Sequence, residues 1–125
     1  MKPNDEHTFK VKIVKLILAK STDEAIELLS NYYNVSAPHL KVGMPRQVGK
    51  KGACYVSGTK TIHVKNRDKL EDPFIILHEF YHHLRTHGGK HRGTERHANA
   101  FAQGFVEAFQ TSANYSFRVT RGQGE

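Results

Sequence analysis

The stretch Ile75-Ile76-Leu77-His78-Glu79-Phe80-Tyr81-His82-His83-Leu84 places two histidines four residues apart, with a glutamate directly after the first. On a helix, residues at that spacing lie one above the other, so His78 and His82 are able to aim both imidazoles at one metal ion. Such a helix must give one face to the metal and another to the core, which restricts what the rest of the chain can build around it. The flanks favour a helix: Asp72 suits an N-cap, Pro73 suits the first helical position, and Gly88 and Gly89 suit the end. Phe74, Leu77, Tyr81 and Leu84 recur at three-and-four spacing and predict the apolar stripe.

The HExxH pattern also explains Glu79. Zn²⁺ lowers the pKa of a bound water toward neutrality, and a carboxylate beside that water can take its proton and later pass it to a leaving amine. Nine histidines in a short chain make a chance pairing a real competitor, so the third ligand decides. The best one is Glu95, at the start of Glu95-Arg96-His97-Ala98-Asn99-Ala100-Phe101-Ala102. Ala98, Phe101, Ala102, Phe105 and Phe109 keep helical spacing, and the small alanines would let this second helix approach the first closely. Asn99, one turn on, fits either a hydrogen-bond partner for a ligand or a plain surface residue. On ligand chemistry alone His87, His91 and His97 stay open as replacements for Glu95. The metzincin spacing HExxHxxGxxH is excluded, because Arg85 and Gly88 stand where it requires Gly and His.

HExxH, a loop and then ExxANxFA resemble the ImmA/IrrE-type family of gluzincin zinc metallopeptidases. The resemblance implies a helix, an extended segment and a β-hairpin ahead of the HExxH helix, and residues 21–110 can be read in that order. It implies His78, His82 and Glu95 as zinc ligands and Glu79 as general base. It also implies hydrolysis of peptide bonds in a narrow regulatory protein substrate, such as a repressor. The loop Thr86–Thr94 departs from the pattern in its wealth of basic residues and histidine, and would serve as a flap. For the oxyanion the chemistry offers Tyr81, His91, His97 and Tyr115.

At 125 residues the chain reads as one metallopeptidase-like domain with a core over about residues 21–110, an N-terminal extension over 1–20 and a tail over 111–125. A single cysteine, Cys54, permits no intramolecular disulfide and suits a reducing, cytoplasmic setting; nothing pairs it with a base that would make it a nucleophile. The formal charge of +7 admits nucleic acid as a partner, although the lysines are spread without aromatic interleaving. The competing function is therefore a non-catalytic, zinc-containing basic module that binds nucleic acid or a regulatory protein. No run approaches the roughly 18 apolar residues of a membrane span, and the Ile13–Ala19 stretch is interrupted by Lys15.

In chain order, residues 1–8 read as frayed and Phe9–Lys20 as a helix. Ser21-Thr22-Asp23-Glu24 is a capping-box signature for a helix with Ala25, Ile26, Leu28, Leu29 and Tyr32 on its apolar face and Asn34 at its end. Val35–Leu40 is extended, and Leu40–Val48 gives a short strand and a loop. Residues 53–57 and 61–65 flank Gly58-Thr59-Lys60 as a hairpin, with Ile62 and Val64 inward and Thr61, His63 and Lys65 outward. The hairpin is the expected edge for a peptide substrate bound as an added strand. The last helix is expected to end near Gln110, with the tail packing through Tyr115 and Phe117 before becoming disordered. The fold expected is α+β, a minimal zincin-like arrangement in which a small antiparallel or mixed sheet and its hairpin pack on the HExxH helix, followed by a second C-terminal helix.

Overall fold

The computed structural model describes the backbone of residues 3–45, 52–87 and 95–124, with side chains over 5–45, 52–86 and 95–112. Four helices, α1 (Pro3–Leu18), α2 (Thr22–Tyr33), α3 (Pro73–His87) and α4 (Glu95–Gly124), surround strands β1 (His39–Val42), β2 (Ala53–Val56) and β3 (Thr61–Val64). The class is α+β. The sheet is mixed, in the order β1-β3-β2, with β1 parallel and β2 antiparallel to β3. No helix among the described residues is long and apolar enough to cross a membrane.

The N-terminal segment expected to fray is helical from Pro3 onward. Its apolar positions explain this: Ile13, Val14 and Ile17 are fully buried, and the Phe9 ring stacks on Tyr32 with centroids 4.1 Å apart. Tyr32 and Tyr33 are both half-buried, and Tyr33 packs on the core. Each such large side chain taken out of water contributes about 1.5–3 kcal/mol, more than the entropy of extending a helix by one residue. α1 ends on Lys20, which adopts φ 67°, while the amides of Lys20 and Ser21 return to the carbonyls of Ile17 (3.2 Å) and Leu16 (2.8 Å). This double closure is a Schellman motif.

The same closure corrects the capping box. The Ser21 amide is already committed to Leu16, so it is not available to Glu24, and the Ser21 side chain makes no capping bond. Its carbonyl alone starts α2, accepting from Ala25 at 3.1 Å. Thr22 instead ties the helix start to the body of the protein by donating its hydroxyl to the Leu70 carbonyl at 2.6 Å. Asn34 ends α2 as expected. It takes a left-handed conformation (φ 59°), and Val35 N donates to Ser30 O.

β1 is the short strand expected here and stops at Gly43, whose φ of 119° favours glycine. The hairpin turns through Ser57–Lys60, and Ile62 and Val64 are fully buried. Thr61 differs from its expected outward place, being 7 % exposed. β3 lies between two neighbours, and the Thr61 hydroxyl is satisfied locally by the Thr59 carbonyl at 2.9 Å. His63, half-buried on the same face as Thr61, lies 3.1 Å from the Gly43 carbonyl through Nδ1. A 3-10 turn over Arg67–Glu71, which the sequence reading did not anticipate, is capped by the Asn66 side chain accepting from Lys69 N.

α3 starts where its cap required. Asp72 Oδ1 accepts from Ile75 N at 3.2 Å, and the Asp72 carbonyl accepts from Ile76 N. The buried stripe is rotated from the expected one: Ile76, Leu77, Phe80 and His83 are fully buried, with Phe74 and Leu84 partly so and Tyr81 at the margin. The sheet and α4 approach α3 from different sides, so its core face is centred on Phe80. α4 packs on α3 through the fully buried Ala98 and Ala102, with Phe105 behind them. It continues well past Gln110 to Gly124, because no proline or glycine interrupts residues 105–121. The side chains of Tyr115 and Phe117, the Gly88-Gly89 pair and Thr94 lie outside the described residues.

Asp72→Ala removes the cap that sets the start of α3, and its expected cost is about 1 kcal/mol in urea denaturation. An unchanged midpoint would show that the cap contributes nothing.

Candidate metal centre

α3 and α4 together bring His78, His82 and Glu95 to one place. Their four-residue spacing within α3 puts His78 and His82 on one face with ring centroids 5.1 Å apart. The alanines of α4 permit close approach, and Glu95 at its first position reaches across. Glu95 Oε1 lies 2.7 Å from His82 Nε2 and 3.3 Å from His78 Nε2. One ligand atom from each of the three residues lies within 4.8 Å of the others, close enough to bind a metal ion.

The donor set fits such an ion. Asn99 Oδ1 lies 2.8 Å from His78 Nδ1, and an oxygen acceptor there requires the proton to sit on Nδ1. The Nε2 lone pair of that tautomer then faces the carboxylate of Glu95, so two acceptors oppose each other across 3.3 Å. Only a proton or a cation between them makes that arrangement favourable. Ligand atoms on a tetrahedral ion with bonds of about 2.0–2.1 Å are roughly 3.3 Å apart. The His78–Glu95 spacing already matches, and the His82–Glu95 spacing would open by roughly half an ångström.

Electrostatics point the same way. Partial burial opposes ionisation of the Glu95 carboxyl, but the hydrogen bond from His82 and the proximity of His78 and His82 prevail and hold it below the ordinary carboxylate range. The imidazoles sit low in the site, whereas the Glu95 side chain is 64 % exposed and forms its rim. Glu79, next to His78 in the chain, is 8 % exposed.

Of the other histidines named as third ligands, His97 lies on the exposed surface of α4 outside this group. His91 and the side chain of His87 lie outside the described residues. Among the oxyanion donors considered, Tyr81 is half-buried with its ring 6.2 Å from that of His82 and 5.4 Å from that of Phe101, while His91 and the side chain of Tyr115 are not described. Cys54, on β2, is half-buried.

Sequence reasoning missed His83 and Tyr55. His83 is fully buried, with Nε2 at 2.8 Å from the Ser36 carbonyl and Nδ1 at 2.7 Å from the Tyr55 hydroxyl. The carbonyl can only accept, so Nε2 carries the proton and the tyrosine donates to Nδ1. One imidazole thus joins the metal helix to β2 and to the segment after α2. The only signal in the sequence is a second histidine abutting HExxH three residues after Phe80, which places both on one helical face.

Two substitutions separate these roles. Asn99→Ala should weaken zinc binding about 10–100-fold in chelator competition with the fold unchanged, and an unaltered affinity would remove Asn99 from the site. Tyr55→Phe leaves a buried ring nitrogen without its donor and should cost about 1–3 kcal/mol in denaturation, with zinc affinity little changed.

Comparison of the chain with family models, with curated proteins and with solved structures finds no match, so the reading of this centre rests on its own residues.

Proposed function

We propose that the protein is a zinc-dependent metallopeptidase of zincin-like fold and ImmA/IrrE type, with His78, His82 and Glu95 as metal ligands and Glu79 as general base. The observation that carries the reading is the convergence of two imidazoles and a carboxylate, with Asn99 orienting one imidazole. A Zn²⁺ ion held there would polarise a scissile carbonyl and acidify water near neutrality. Glu79 would take the proton of the attacking water and deliver it to the departing amine. A metal serving only the fold needs the three ligands but has no use for that buried carboxylate.

The sheet supports a mode of substrate binding. β2 is the edge strand that packs against α3, while β3 is internal. Lys65 N donates to Gly52 O at 2.8 Å, and with Ala53 opposite Val64 this phase turns residues 52, 54 and 56 toward β3. The backbone groups of Ala53 and Tyr55 then face away from β3, where no described strand pairs with them and an extended peptide would add as a fourth strand. The substrate class that follows from the family resemblance is a narrow regulatory protein.

Glu79→Gln is the direct test. Zinc content and melting temperature should stay close to those of the parent protein, while peptide hydrolysis should fall by at least about a hundredfold. Retained hydrolysis would show that the base is misassigned. Ala53→Pro removes one outward N–H without touching the β2–β3 ladder, and should raise KM several-fold with kcat little changed. An unaltered KM would rule out pairing at this edge.

A further inference from the structure

Beside the α3–α4 seam lies an open cleft of about 720 Å³, bordered also by α1 and the end of α2. Its walls include the rings of Tyr33, Tyr81, Phe101 and Phe105 and the cations Lys10 and Arg85. None of the three metal ligands lines it. The volume falls within the range that holds small organic ligands, roughly 300–1,000 Å³.

Arg85 marks the chemistry. Its Nε is enclosed where a ligand does not reach it, so the end nitrogens of the guanidinium, which make no hydrogen bond among the described residues, are the donors it brings to the cleft wall. Those two end nitrogens form a planar fork suited to the two oxygens of a carboxylate. The second cation, Lys10, sits 5.5 Å above the Phe105 ring, and is only loosely held by Glu6 at 3.9 Å. Burial first, and then the neighbouring Tyr32 and Glu6, push the Tyr33 phenol up to about 12, so it lines the cleft as a neutral hydroxyl able to donate. The carboxylate of Glu6 also lines the wall and disfavours a doubly charged phosphate.

We propose that this cleft binds a small monocarboxylate with an aromatic or branched apolar body, its carboxylate on Arg85 and its body among the Tyr81, Phe101 and Phe105 rings. The site stands apart from the metal centre and does not depend on peptidase activity. It shares α3 and α4 with that centre, and Tyr81 lies between the cleft and the ring of His82.

The test uses the zinc-loaded full chain and NMR titration with phenylacetate, its neutral counterpart phenylacetamide, and phenyl phosphate. Phenylacetate should bind saturably and shift the amides of Tyr33, Tyr81 and Phe101, with the amide and the phosphate weaker by about tenfold or more. Arg85→Gln should weaken phenylacetate by about tenfold and leave phenylacetamide unchanged. The acid–amide comparison needs no variant, so it stands even if Arg85→Gln folds poorly. No saturable binding, equal affinity for acid and amide, shifts centred on Glu95 instead of Tyr81, or an Arg85→Gln protein that binds phenylacetate normally would each overturn the proposal.

Discussion

The close packing of α4 on α3 is the contact on which the rest depends. Ala98 and Ala102 present almost no side chain at the seam, so the two helix backbones come near enough for a glutamate at the head of one to meet histidines of the other. A larger residue at either alanine would push α4 outward and move Glu95 away from His82. Burial does more than stabilise here, because it sets the separation on which ligand geometry depends. The 2.7 Å and 3.3 Å spacings about Glu95 Oε1 follow from that seam and from the four-residue spacing of His78 and His82 within α3.

Around the seam, two oxygen acceptors set the states of the imidazoles they meet. Asn99 selects the tautomer of His78 that frees Nε2, and the Ser36 carbonyl selects the opposite tautomer of His83. Adjacent or nearby histidines of one helix therefore sit differently: His78 and His82 meet Glu95 at the candidate metal site, whereas His83 faces inward as a bracket between α3 and the edge strand. That bracket bears on the proposed chemistry, because a peptide added to β2 would be positioned against the metal helix through the Tyr55–His83 link. Loss of the link would affect register before it affected metal binding.

The convergence of His78, His82 and Glu95 was legible because its signal is local. Helical spacing places His78 over His82, and a second amphipathic stretch beginning at Glu95 needs only to pack antiparallel against the first. Asn99 was visible as one of two readings for the same reason. What stayed hidden depends on where neighbours approach. The core stripe of α3 turned toward Phe80 and His83 because the sheet and α4 cover different sides of it. Ser21 resembled a capping residue, but its amide had been claimed by the end of α1, a competition no local pattern reveals. Residues 3–8 read as polar, yet the rings and branched side chains from Phe9 onward hold them in a helix. Thr61 was expected outward with His63 and Lys65, yet it is buried at the turn end of β3 while its neighbours on that face are half-buried and exposed.

The central claim is that His78, His82 and Glu95 share one divalent ion with room left for solvent. X-ray absorption spectroscopy on the purified protein, together with metal analysis, addresses it directly. The account predicts one zinc per chain, with two imidazole nitrogens and two oxygens at about 2.0–2.1 Å, and loss of one oxygen contact and most of the bound metal in Glu95→Ala. A three-imidazole shell, or a zinc content indifferent to Glu95→Ala, would contradict it.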